Sequence, residues 1–272
     1  MDGWMTGGAC TMRARQTWRW VLGASWALGA WGAMVEGAGG QERPVDLELM
    51  LAVDASSSVS AAEFDLQMRG LAEAFRDPRV IAAIRASGDL GIAVALMQWS
   101  DNRKQKIAVD WTLVRNEAEA RALADEIAAT PRYLIGGGTA IGGALAYAIR
   151  QFANNGFDGR RKVIDLSGDG RTNQGVQPAD MRDLALGRGI AINGLAILNE
   201  DPTVDSYYFA NVIGGTGAFV MTANDYEAYG AAILAKLIKE ISGVPIATAP
   251  PAHDYAVAAD ARPPVRGLET GT

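Results

Sequence analysis

The sequence predicts an α/β fold in which helices cover both faces of a mainly parallel, doubly wound sheet. From residue 45 onward, apolar runs of strand length alternate with segments whose apolar residues recur at helical spacing. Side-chain capping signals stand at the start of several of the helical segments. The order is strand, helix, strand, strand, helix, helix, then strand and helix three times. Alternation of this kind builds a parallel sheet buried between two helical layers.

Each element has its own local reason. Residues 46–54 hold an apolar run from Leu49 to Val53 and read as a buried strand. Ser60 and Glu63 form a capping box, and Phe64, Met68, Leu71 and Phe75 then share one helical face. Residues 90–99 and 107–114 are strand-like, and the polar stretch 100–106 between them reads as a hairpin connection, which makes this pair antiparallel. Asn116 and Glu119 suggest a second capping box for a helix reaching about residue 129. A helix over 141–153 follows the cluster Gly136-Gly137-Gly138. Residues 162–167 form a strand ending in Gly168-Asp169-Gly170, and Pro178 suits the first turn of a helix reaching about residue 186. A strand over 190–198, a short helix over 207–213 and a strand over 218–222 come next. Asn224 to Glu227 read as the cap of a last helix carrying Tyr229, Ile233, Leu237 and Ile241, and Gly243 ends it.

Composition narrows the function classes. The chain has 272 residues, 49% of them hydrophobic, which is enough for a substantial core. Its 31 acidic and 25 basic side chains give a net charge of −6 without a basic run, so an electrostatic nucleic-acid binder is not indicated. Residues 1–38 read as a signal peptide. Arg13, Arg15 and Arg19 precede an apolar stretch of about 16 residues, short of the roughly 20 a spanning helix needs. This predicts a periplasmic or secreted protein without stable membrane insertion after cleavage; an uncleaved N-terminal anchor is the alternative. The one cysteine, Cys10, precedes the apolar stretch, so the mature chain would have no disulfide. Residues 45–243 form the expected domain. Residues 244–272 hold five of the ten prolines and predict a disordered or loosely attached tail.

Three short segments carry candidate chemistry. Asp54, Ser56 and Ser58 follow the first strand at alternate positions, Thr139 follows the glycine cluster, and Asp169 follows the fourth strand. In a doubly wound sheet, ligands bind beyond the carboxyl ends of the strands where strand order reverses. If the first and fourth strands are neighbours there, all five side chains converge. Each residue alone is an ordinary turn or cap residue; the set in this order points to a site for a hard divalent cation. An all-oxygen set disfavours zinc and copper, and Mg²⁺ rarely has its octahedron filled by protein alone.

Asp54-Ala55-Ser56-Ser57-Ser58, Gly136-Gly137-Gly138-Thr139 and Ser167-Gly168-Asp169-Gly170 resemble the metal-ion-dependent adhesion site (MIDAS) of von Willebrand factor type A (vWA) domains. The resemblance covers about residues 45–243. It implies a six-stranded sheet of order 3-2-1-4-5-6 with an antiparallel third strand. It also implies Mg²⁺ or Mn²⁺, with Ca²⁺ a further candidate. Ser56, Ser58 and Thr139 would be hydroxyl ligands, and Asp54 and Asp169 would ligate directly or through water. An open position would take an Asp or Glu from a protein partner. A signal peptide with one such domain also resembles secreted proteobacterial proteins of unassigned function.

Other chemistries fit less well. The glycine cluster lacks dinucleotide spacing and a following P-loop lysine. The one histidine, His253, lies in the tail, so a Ser-His-Asp triad is not expected. The expected function is adhesion-type protein binding rather than catalysis. A hydrolase using the same ion, or a metal-independent interaction scaffold, is the alternative. Asp165, inside the fourth strand, reads as structural or as a support behind the ligands, and Asn173 as a candidate support for the Asp169 loop. Trp99, Trp111 and the cluster Tyr207-Tyr208-Phe209 read as packing residues.

Overall fold

The computed structural model describes residues 42–243. The expected signal peptide and tail lie outside the described residues. In chain order the elements are β1 (Arg43–Val45), β2 (Leu47–Asp54), α1 (Ala61–Arg76), α2 (Pro78–Ala86), β3 (Ile92–Trp99), β4 (Gln105–Val114), α3 (Glu117–Ala129) and α4 (Ile141–Gln151). Then come β5 (Phe157–Gly159), β6 (Lys162–Gly168), α5 (Pro178–Leu186), β7 (Ile190–Ile197), α6 (Val204–Asn211), β8 (Val220–Ala223) and α7 (Tyr229–Ser242).

The main sheet has the order β4-β3-β2-β6-β7-β8. Counted along its six strands this is 3-2-1-4-5-6, and β3–β4 is its antiparallel pair. The strand order reverses between β2 and β6, which pair in parallel from Glu48↔Lys162 to Val53↔Ser167. The first and fourth strands are therefore neighbours, as convergence of the candidate residues requires. A small second sheet pairs β1 with β5. Its strands have three residues each, too few for a visible sequence period.

Period-2 alternation divides the core between the two faces. Leu47, Leu49, Leu51 and Val53 of β2 pack with Phe64, Leu71 and Phe75 of α1 and with Ile233 and Leu237 of α7. Met50 and Ala52 face the other way, towards Ile141 and Leu145 of α4, Val204 and Tyr208 of α6, and Trp99. Burial of one such side chain contributes about 1.5–3 kcal/mol.

The local signals mostly hold, with instructive departures. Ser60 and Glu63 form both bonds of the capping box. Asn116 accepts from the Glu119 amide, but Glu119 instead accepts from the Arg115 amide and pairs with the Arg115 guanidinium, so that box is half formed. Helix α2 was not anticipated, although Asp77 caps it and Pro78 occupies its first turn. Helix α6 begins at Val204, three residues before its expected start. The last helix starts at Tyr229, after the expected cap. The buried Tyr226 is held in the preceding loop by a hydrogen bond to Asp169, and Asp225 closes the turn by accepting from the Ala228 amide.

Beneath the sheet, Lys236 of α7 is fully buried and lies 2.6 Å from both Asp165 and Glu240. Asn193 donates to Glu240 and accepts from the Phe219 amide. Asp165 is thus structural, as its position in the strand suggested. Burial, and then the Asp165 charge beside it, raises the Glu240 carboxyl above the usual carboxylate range. Removing the lysine would strand this pair without a counter-charge. Lys236→Ala is expected to destabilise the domain by about 3–5 kcal/mol, read as a lower urea midpoint; an unchanged midpoint would contradict the counter-ion role.

Candidate metal centre

Three loops meet at the carboxyl edge of β2 and β6. The first runs from Asp54 to Ser58, and the Asp54 carboxylate accepts from the Ser56 amide at 2.7 Å, which tightens the turn. The Gln67 side chain holds the Asp54 carbonyl from α1. The second loop carries the glycines. Gly137 has φ +110°, a conformation suited to glycine, and a Cβ there would lie 2.5 Å from Ser100 Oγ. Its carbonyl accepts from the Ser57 amide at 3.0 Å, fastening the second loop to the first. The third loop follows β6. Asn173 grips Thr139 on both sides, accepting from the Thr139 amide through Oδ1 and donating its own amide to the Thr139 carbonyl, each at 2.9 Å. The expected support by Asn173 therefore acts on Thr139 directly.

Three of the five candidate side chains form a hydrogen-bonded chain, and Asp54 joins it through the Ser56 amide. Ser58 Oγ donates to Asp169 Oδ1 at 3.0 Å, and Ser56 Oγ lies 3.1 Å from Ser58 Oγ. Asp54 and Asp169 are fully buried, and the Asp169 charge raises the Asp54 carboxyl. Thr139 is buried beside them. A Cβ at Gly170, next to Asp169, would lie 3.9 Å from Thr139 Oγ1, and among the described residues that hydroxyl makes no hydrogen bond. Nor does the hydroxyl cap α4, whose N-cap is Ala140 without a side-chain bond. That removes the simplest structural explanation for Thr139.

Two tyrosines, a glycine and an arginine complete the surroundings. Tyr226 donates to Asp169 Oδ2 at 3.0 Å. Among the described residues the fully buried Tyr208 hydroxyl has no hydrogen-bond partner, and neither does Asp54 Oδ2. Both face the space above Gly168, where a Cβ would lie 2.7 Å from Tyr208 Oη and 2.9 Å from Asp54 Oδ2. Arg132 is nearby, but its guanidinium donates to the carbonyls of Ala55, Ser56 and Leu134. Sequence reasoning quoted Gly168 within the Asp169 motif without giving it a role, and did not single out Tyr226 or Arg132. Tyr226 lies 57 residues from its partner Asp169, so no local pattern marks it.

Electrostatics ask for a cation. Burial, and then the Asp169 charge, pushes the Asp54 carboxyl from 3.8 up to about 7. Burial likewise raises Asp169. Neither carboxylate has an ion-pair partner among the described residues. Their donor set, two carboxylates and three hydroxyls, suits a hard divalent ion. Among the described residues no group of three or more His, Cys, Asp or Glu could hold a metal, so a site here depends on the hydroxyls. Ser56, Ser58, Thr139, Asp54 and Asp169 are the residues that would hold one.

Two outcomes follow. The folded-state value of Asp54 lies above its unfolded value, so the folded state binds the proton more tightly. Metal-free protein should then lose stability as pH rises from about 4 to about 7 relative to Asp54→Asn, by a few kcal/mol. Thermal melts in EDTA check this, and parallel pH profiles for the two proteins would contradict it. Gly168→Ala should cost about 1–3 kcal/mol by forcing apart Tyr208 and Asp54, measurable by urea unfolding.

Comparison with known proteins supports the fold. The chain is similar to proximal thread matrix protein 1 (PTMP1) of the mussel byssus, with a TM-score of 0.57 and 17% identity over 74% of this chain and 48% of that one. A structure of PTMP1 described as having a zinc-occupied MIDAS motif gives a TM-score of 0.53 at 17% identity, over 74% and 49% of the two chains. The pilus adhesin SpaC of Lactobacillus rhamnosus GG gives 0.51 at 16% identity, over 74% and 30%. The chain thus spans about half the length of PTMP1, and the likeness establishes the α/β fold alone. No curated protein matches the sequence. The family model described as "Protein of unknown function (DUF1194)" matches residues 44–245, and the chain belongs to that family.

Proposed function

We propose that the chain is an exported protein-binding module that works through one divalent cation, Mg²⁺ or Mn²⁺ before Ca²⁺. Ser56, Ser58 and Thr139 supply neutral hydroxyl ligands, and Asp54 and Asp169 supply the negative charge. The bound ion offsets the cost of burying two carboxylates and, held by few charged ligands, stays attractive to an Asp or Glu of a partner protein. The observation that carries this reading is the buried, unpartnered Asp54 Oδ2 beside a second buried carboxylate with no counter-ion.

Binding is favoured over catalysis because a hydrolase using the same ion needs a base at the metal-bound water. The described residues contain no histidine. PTMP1 is named a matrix protein and SpaC an adhesin, which is compatible with a binding role on this fold. Export rests on the basic and apolar character of residues 1–38. None of the described helices is long and apolar enough to cross a membrane.

Calorimetry tests the metal. One Mg²⁺ or Mn²⁺ should bind per chain, and Asp54→Ala should weaken it more than about 100-fold; undiminished binding by Asp54→Ala would refute the assignment. Pull-down from periplasmic extract should then recover a partner that EDTA releases. Retention in EDTA would support the metal-independent scaffold, and Mn²⁺-dependent turnover of phosphoesters or peptides, lost in Asp169→Ala, would support the hydrolase.

A further inference from the structure

A cavity of about 560 Å³ opens at the end of the sheet opposite the metal centre. Asp54 and Gly168 are the last residues of β2 and β6, whereas Lys162 and Ile190, in the cavity wall, are the first residues of β6 and β7. The end of α7 and the loop before β8 close the sides. The cavity lies within the size range of small-ligand pockets.

Its lining combines an apolar floor with unbalanced positive charge. Val163, Leu186, Ile190 and Phe219 supply the apolar surface. Four cations line the walls, and two of them are neutralised: Arg160 pairs with Asp46 at 2.9 Å and Lys162 with Glu48 at 3.1 Å. The other two form no ion pair among the described residues, although the Glu240 and Asp46 charges act on Arg161 from a greater distance. The Arg161 guanidinium donates to the carbonyls of Glu240 and Ile241, and Lys239 Nζ lies 3.9 Å from the centroid of the Phe219 ring. Neither has a carboxylate within ion-pair distance among the described residues. Glu240, the acid in the lining, shares its Oε1 with Lys236 and Asn193. Its buried Oε2 has no hydrogen-bond partner.

We propose that this cavity binds a small amphipathic carboxylate, with its apolar body against Phe219, Ile190 and Leu186 and its head at Lys239 and Arg161. Charge complementarity selects the anion, and the mainly apolar floor selects a hydrocarbon or aromatic body over a bare inorganic ion. The site is independent of the cation, because it lies at the far edge of the sheet and shares no residue with the metal centre.

The test is a titration of the full chain with 8-anilinonaphthalene-1-sulfonate, an apolar body with an anionic head, followed by displacement with decanoate and with decanol. One saturable site is expected, displaced by decanoate at least about tenfold more readily than by decanol. Lys239→Glu should weaken binding about tenfold or more by reversing the charge, and Thr216→Trp should block it by filling the mouth from an exposed loop. Both variants should keep close to the wild-type urea unfolding midpoint, which shows that they remain folded. Absence of saturable binding, equal displacement by the neutral alcohol, or binding unchanged in both variants would overturn the proposal, whatever the fate of the metal assignment.

Discussion

The structure turns on two carboxylates, Asp54 and Asp169, buried side by side at the carboxyl edge of the two central strands without an ion pair among the described residues. Burying an unpaired charge is among the costliest arrangements a fold can contain. The surroundings lower that cost only in part. The Ser56 amide and the Ser58 and Tyr226 hydroxyls donate to the pair, while Asp54 Oδ2 stays without a partner. The loops are laced together by Ser57, Gly137, Thr139 and Asn173, so the cluster is organised before any ligand arrives. Preorganisation of this kind lowers the ordering cost of binding.

The same sheet contains a contrasting solution. Asp165 and Glu240 are also buried, but Lys236 lies between them at 2.6 Å from each. That cluster carries its own cation, although Asp165 Oδ2 and Glu240 Oε2 have no hydrogen-bond partner among the described residues. The pair at the carboxyl edge has two buried acids, neutral hydroxyls around them, and an arginine committed to backbone carbonyls. An external cation on one side and an internal one on the other is the simplest account of the difference. Strand order makes it possible: because β2 and β6 are neighbours, a residue just past the end of one comes close to a residue ending the other.

Much of this was legible in the sequence. The alternation of apolar runs and helical faces suffices for the sheet, because long buried strands and capped helices leave strong periodic marks. The five oxygen residues stand out by type and spacing. Other features leave no such mark. The β1 and β5 strands are too short to show a period, and the nine residues of α2 follow α1 after the single residue Asp77. Tyr208, Tyr226 and Gly168 act through contacts distant in the chain. Lys236 and Glu240 stand four residues apart on a largely apolar helix, a signal that could have suggested a buried ionic pair. The start of α7 was misplaced because a tertiary contact, Tyr226 to Asp169, outweighed the local cap.

The central claim is that Asp54, Ser56, Ser58, Thr139 and Asp169 surround one divalent cation. Anomalous diffraction from crystals of the protein grown with Mn²⁺ tests it most directly. The account predicts a single strong peak at the carboxyl edge of β2 and β6, within ligand or one-water distance of all five side chains and vanishing in Asp54→Ala crystals. A crystal with no manganese peak there, or with manganese bound only elsewhere on the surface, would contradict it.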